Sequence, residues 1–197
     1  MSKILAIDPG NEYSAYVTYF RETGRIAEFA KCTNEHLLGR MWKFRQECDC
    51  MAIEMPACYG MAVGQSVFDT CRFVGIFQGA FSTSSGKRNH LVYRKARNKE
   101  DGIEGVCMHI CKNNKANDSN IRQAIIDLYG GKDKAIGNKK CPKCKGKGWF
   151  GTGRLVCPVC DGKKWKLPPG PLCGIAEDVW AALAVAITFS ETYSKKT

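Results

Sequence analysis

The apolar positions follow two periods. Short apolar runs bounded by turn residues mark strands, and longer stretches near 3.6 spacing mark helices. Ile4-Leu5-Ala6-Ile7 is a buried strand that ends in Asp8 and is turned by Pro9-Gly10. Tyr13–Phe20 is a second strand, with Tyr13, Ala15, Val17 and Tyr19 on one face and Asn11-Glu12 as a hairpin turn before it. Residues 25–31 form a third strand after the turn at Thr23-Gly24. Asn34 is a favourable N-cap for a helix over 35–47, where Leu37, Leu38, Met41, Trp42 and Arg45 lie near helical spacing. Cys50–Met55 repeats the first pattern: an apolar strand runs into Glu54, and Pro56 stops it.

Beyond Pro56 the spacing predicts a long helix over 67–82, with Phe68, Cys71, Val74, Gly75, Phe77 and Ala80 on its apolar face. Gly75 and Gly79, four apart, would let that face approach the sheet closely. Residues 91–93 are a short strand, expected parallel to Cys50–Met55 across the helical crossover. The stretch 94–117 has weak periodicity and reads as loop or short helix, with Cys107 and Cys111 as buried thiols rather than a metal half-site. Asp118 or Ser119 caps a helix over 120–129, ended by Gly130-Gly131. The last element is a strongly apolar helix over 176–193, with Asp178 in its first turn.

Three acids stand out against this frame. Asp8 and Glu54 end buried strands, and Asp178 opens the last helix. Alone, each is an ordinary cap or surface charge. They converge only if the two strands are neighbours and the helix crosses their ends. Converging carboxylates repel unless a cation neutralises them. Hard oxygen ligands select Mg²⁺ or Mn²⁺, and two such ions can drive phosphodiester hydrolysis.

Charge and cysteine spacing add a second unit. The net charge is +11, and residues 132–166 carry eleven basic residues against two acids. A local excess of this kind suits nucleic acid. Inside it lie Cys141-Pro-Lys-Cys144 and Cys157-Pro-Val-Cys160, two CxxC pairs twelve residues apart. Four thiolates at this spacing predict one structural Zn²⁺ with no open coordination position. So small a unit needs its metal to fold. Lys143, Lys145, Lys147, Lys163 and Lys164 are candidates for phosphate contacts, and Trp149 for stacking on an unpaired base. The domain expectation is therefore one core from 1–131 and 168–197, with an inserted basic zinc ribbon at 132–167. No run of eighteen apolar residues and no signal-peptide pattern is present, so a cytoplasmic protein without membrane contact is expected.

Ile4-Leu5-Ala6-Ile7-Asp8-Pro9-Gly10, Ala52-Ile53-Glu54 and Ala181-Ala182-Leu183-Ala184-Val185-Ala186-Ile187-Thr188 resemble the motifs of RuvC-type Holliday-junction resolvases, in the RNase H-like superfamily. The order of elements is also similar. The resemblance spans about 1–131 and 168–193 and has a phage-type flavour in its compactness. It implies an α/β fold: an RNase H-like mixed five-stranded sheet flanked by helices, here with the small zinc ribbon inserted. It further implies a metal-dependent endonuclease that cuts four-way or other branched DNA as a homodimer, in a bacterial cell or phage-infected host. Asp8, Glu54 and Asp178 match the family's acids and would hold two Mg²⁺ or Mn²⁺ ions. The family's second acid on the last helix falls on Ala181, so Glu177 or Glu12 would have to supply a fourth ligand. Tyr59 matches an aromatic that probes the junction centre, displaced by two residues. Lys95, Arg97 and Lys99 are candidates to hold DNA arms. The ribbon's half-motifs resemble the DnaJ cysteine-rich repeat, the second departing at Lys164. The departure at Ala181 keeps open a non-catalytic branched-DNA-binding protein that retains the fold, and the superfamily also admits a third reading, an RNase H-type hydrolase of RNA–DNA hybrid.

Overall fold

In the computed structural model, residues 1–193 are described except 59, 61, 83–85, 97, 99, 101, 151–153, 161 and 164. Two compact units form. One comprises Met1–Arg122 with Ala176–Thr197, the other Gln123–Ile175.

The first unit is built on a five-stranded mixed sheet. Its strands are β1 (Lys3–Asp8), β2 (Tyr13–Phe20), β3 (Arg25–Thr33), β4 (Cys50–Met55) and β5 (Arg88–Tyr93). Their spatial order is β3-β2-β1-β4-β5. The first three form an antiparallel meander, while β4 runs parallel to both β1 and β5. Alternation divides the side chains between two faces. Leu5, Ile7, Tyr16, Met51 and Ile53 pack against α1 (Asn34–Glu47) and α2 (Gln65–Ser82) through Leu37, Met41, Phe44, Val74, Phe77 and Phe81. The opposite face, with Ile4, Ala6, Ala15, Val17 and Ala52, is covered by the last helix, Val179–Tyr193. That helix is buried on all sides from Val179 to Ser190 save Ala181, as an apolar helix inside a core must be. Two shorter helices, α3 (Val106–Cys111) and α4 (Asp118–Leu128), follow β5 in sequence, and the last helix is α6.

Several local expectations are corrected. Thr33, not Asn34, caps α1: its hydroxyl accepts from His36 N at 3.3 Å. Asn34 is fully buried instead. Its amide accepts from Ser14 Oγ at 2.6 Å and donates to Gly10 O at 3.0 Å, and its backbone N–H donates to Glu12 O. It therefore ties together the turn that follows Asp8. Gly10 in that turn admits no side chain, since a Cβ would sit 2.3 Å from Tyr13 O. On α2, Phe68 is exposed, and a Cβ on Gly75 or Gly79 would meet open space. The glycines lie on the outer face, and the core side is carried by Thr70, Val74, Phe77 and Phe81. The cap of α4 is also different: Asn117 and Asn120 bond reciprocally, side chain to backbone, at 3.0 and 3.1 Å. The last helix begins at Val179, so Glu177 and Asp178 precede it, with Glu177 at φ 46°.

The second unit holds the end of α4, the short α5 (Lys132–Ala135) and two small antiparallel sheets. Strands β6 (Gly137–Lys140) and β9 (Trp165–Pro169) form one; β7 (Trp149–Phe150) and β8 (Leu155–Val156) form the other. Among the described residues no helix is long and apolar enough to cross a membrane.

Asn34→Ala should destabilise the first unit by about 2 kcal/mol, because it leaves buried polar partners unpaired. Chemical denaturation checks this. Thr33→Ala should cost about 1 kcal/mol, as loss of a helix cap does.

Candidate functional site

The site grows from register. Ile7 pairs with Ile53 across the parallel β1–β4 ladder, so Asp8 and Glu54, one residue on, stand side by side on the face toward α6. Asp8 pairs with Ala15, and Ala15 with Lys31, which sets Asp8 and Lys31 in one cross-strand row with a small residue between them. On the other flank Glu54 pairs with Val92, and Arg94 follows two residues later.

Arg94 is held there by its own backbone. Its carbonyl accepts from Cys107 N at 2.8 Å, at the start of α3. Gly105 makes this approach possible, because a Cβ there would lie 2.6 Å from Lys95 C and O. The buried Asn98 side chain donates to Leu91 O at 2.8 Å and fixes the chain just beyond. His109 then bridges Glu104 and Glu191, at 3.2 and 2.7 Å, and ties α3 to α6.

Two cavities open over these residues. One, of about 390 Å³, is lined by Asp8, Arg94, Asp118, Glu177, Asp178 and Ala181 among others. The second, of about 270 Å³, is lined by Glu54, Arg94 and the segment around Pro56 and Cys58. Arg94 borders both. It forms a salt bridge with Asp118. Lys31 bridges Glu177 and Asp178 at 2.9 Å each.

Electrostatics mark Asp8 and Glu54 as the strained pair. Burial pushes the Asp8 carboxyl well up, and the charges of Glu54, Asp178 and Asp118 push it further, against the pull of Arg94. Burial likewise raises Glu54 to about 7, with Arg94 opposing and Asp118 adding to the rise. The two acidic partners of Lys31 raise its ammonium well above its ordinary value. The chain thus offers several hard oxygen donors around a polar cavity with too little positive charge to balance them. That donor set fits a divalent cation. The carboxylates are not drawn into one tight cluster: among the described residues only the four ribbon cysteines gather as a ligand set.

Of the expected site residues, Asp8 and Asp178 share the first cavity, and Glu54 lies beside Asp8 on the next strand while lining the second. Glu177 lines the first cavity, engaged with Lys31. Its place before the helix, in a left-handed conformation, replaces the expected position on the helix surface. Glu12 is exposed on the β1–β2 turn and does not line the cavity. Lys95 is exposed beyond β5. Tyr59, Arg97, Lys99 and Lys164 lie outside the described residues. Arg94 and Asp118 join the site without having been singled out for it. Arg94 lay in a stretch without periodicity, and Asp118 looked like a helix cap.

In the ribbon, the sulfurs of Cys141, Cys144, Cys157 and Cys160 lie within 4.8 Å of one another and are buried. Cys141–Cys157 and Cys144–Cys160 stand 3.7 and 3.6 Å apart. A tetrahedron with metal–sulfur bonds of ~2.3 Å has corners about 3.8 Å apart, so the cage fits zinc. Gly146 and Gly162 occupy the same place in the two half-motifs, both at positive φ. Burial raises the Cys144 thiol, but the N–H groups of Gly148 and Gly146 and the neighbouring sulfurs outweigh it and bring it down to about 6. Cys157 is also lowered, through the N–H groups of Val159 and Cys160. Trp149 is partly exposed, with Lys147 and Arg154 each 5.4 Å from its ring. Lys143, Lys145, Lys147 and Lys163 are exposed.

No protein-family sequence profile matches this chain, and no curated protein sequence matches it significantly. Solved structures do. The structure of RuvC from Thermus thermophilus aligns over 98% of this chain and 95% of its own, with a TM-score of 0.58 at 12% identity. The same organism's RuvC in complex with Holliday junction substrate aligns over 99% and 96%, with a TM-score of 0.55 at 13% identity. The fold is that of RuvC. The expected mixed five-stranded sheet flanked by helices is present, and the four-cysteine cluster accompanies it. In this chain the parallel β1–β4 ladder is what brings Asp8 beside Glu54.

The pH response follows from the raised carboxyls. An unfolded Glu54 ionises near 4.5 and the folded one near 7, so between these values unfolding releases a proton and stability falls as pH rises. Asp8 acts in the same direction. The metal-free protein should therefore lose part of its melting temperature between pH 5 and pH 8 through this pair. Mn²⁺ should raise the melting temperature more at pH 8 than at pH 5. Thermal melts of wild type and Asp8→Asn, with and without Mn²⁺, check both statements, and the variant should show a shallower pH dependence.

Proposed function

We propose that this chain is a metal-dependent, structure-selective DNA endonuclease that resolves four-way junctions. The observation that carries the reading is the side-by-side placement of Asp8 and Glu54 at the ends of neighbouring strands in a RuvC fold. That one such neighbour is RuvC bound to a Holliday junction supports branched DNA as the partner. The basic ribbon supports a polyanionic partner independently.

Asp8, Glu54 and Asp178 are the residues that would hold the divalent ions. Bound there, Mg²⁺ or Mn²⁺ supplies Lewis-acid stabilisation of a phosphodiester and a means of activating water. Asp8 and Glu54 must be ionised to serve, so they release their protons as the cation arrives. Lys31 holds Asp178 at the mouth of the cavity by an ion pair. Arg94, between the two cavities, is placed to pair with a non-bridging phosphate oxygen. Lys95 and the ribbon lysines would contact the flanking backbone, and Trp149 offers a stacking face held between two cations. The ribbon would carry one Zn²⁺ with a structural role. Symmetric cutting would require a homodimer.

Ala181 favours a second reading. It lines the cavity where an acid would complete the expected set, and a chain weakened there could bind junctions without cutting them.

A synthetic four-way junction should be cleaved in Mg²⁺ or Mn²⁺, and Asp8→Asn should slow cleavage roughly a hundredfold or more while leaving junction binding intact. Metal-independent binding without cleavage by the wild type would instead support the second reading. Preferential cutting of RNA–DNA hybrid would sink the junction assignment. Displacing the ribbon's metal with a thiol-reactive mercurial should release one zinc per chain, measured with a metallochromic dye.

A further inference from the structure

We propose that Asp118, on the first turn of α4, is the fourth carboxylate of the metal site, in place of the acid absent at Ala181, and that Arg94 holds it aside until metal binds. This rests on reading the cavity as a divalent-metal site.

Ala181 presents only a methyl group to the first cavity, yet Asp118 lines the same cavity as Asp8 and Asp178. The other acid there, Glu177, shares Lys31 with Asp178 and stands before the helix in a left-handed conformation. Asp118 has no capping duty to keep it elsewhere, because Asn117 and Asn120 cap α4 between them. Its side chain is 84% exposed, with Arg94 as its ion-pair partner. The Asp118 charge is felt at both Asp8 and Glu54.

Arg94 identifies what the position is for. It borders both cavities, pairs with Asp118, and its charge acts on Asp8 and Glu54. It is the cation whose charge opposes the rise at both Asp8 and Glu54. Divalent ions reaching Asp8 and Glu54 would neutralise them and remove the attraction that keeps Arg94 inward. Asp118 is then released to coordinate, and the guanidinium is left for the phosphate. The exchange is one fixed monovalent charge for a divalent one at the same acids.

The test is Mn²⁺ calorimetry on the full chain without DNA, so that the readout is affinity and not cleavage. Asp118→Asn should weaken Mn²⁺ binding by about tenfold or more. The same substitution should weaken it in an Arg94→Gln background, while Arg94→Gln alone should tighten binding. Adding Ala181→Asp to Asp118→Asn should restore affinity, with circular dichroism melts confirming the fold of each variant. If Asp118→Asn has no effect in the Arg94→Gln background, Asp118 acts only through Arg94 and the assignment is overturned. Failure of Ala181→Asp to restore binding would also overturn it. Absence of Mn²⁺ binding by the wild type would overturn the metal-site reading itself, a result distinct from a difference confined to the variants.

Discussion

Asp8 and Glu54 stand side by side at the carboxyl ends of neighbouring parallel strands, where burial and mutual repulsion both act against their ionisation. Nothing in an apolar core tolerates that arrangement cheaply. The sheet imposes it, because a parallel ladder in fixed register cannot move one strand end without the other. The surrounding structure consists largely of answers to this constraint. The Asn34–Ser14–Gly10 bonds hold the turn after Asp8, Gly105 lets α3 support the segment carrying Arg94, and Ala15 clears the row between Asp8 and Lys31.

Two cations divide the work. Lys31, on the edge side, pairs with acids that are already half open to solvent. Such a pair is worth little energetically and serves mainly to orient. Arg94 is more deeply set and acts on the buried acids. The asymmetry leaves orientation of the open acids to Lys31 and charge balance at the buried ones to Arg94.

Much of this was legible in the chain itself. Apolar runs ending in acids located β1 and β4, and the crossover rule made β4 and β5 parallel. The CxxC spacing located the ribbon cage without any tertiary information, since ligand spacing is a local property. What could not be read was longer in range or subtler in geometry. Asn34 obeys the capping preferences of its residue type, yet a neighbouring threonine caps and the asparagine is drawn inward by Ser14, twenty residues away. Asp118 likewise looks like a cap, and only the Asn117–Asn120 pair shows that it is not needed as one. Arg94 follows directly on a strand but lies in a stretch with no periodicity, so its role depends on the β4–β5 register. Glycine spacing on α2 suggested close packing, but the same spacing on an outward face meets open space.

Seven of the thiols divide by reactivity. Burial holds Cys48 up to about 12 and Cys50 up to about 11, and it raises Cys32, Cys107 and Cys111 as well. Such thiols are poor nucleophiles at neutral pH. Cys144 and Cys157 lie on the other side of that divide, their thiolates favoured by backbone N–H groups. An oxidant or alkylating agent meeting the zinc-free chain would therefore attack Cys144 and Cys157 before these raised thiols of the first unit. With the cage filled, the same sulfurs would be shielded as metal ligands. A zinc ion held there would thus act as a protecting group for the ribbon's sulfurs.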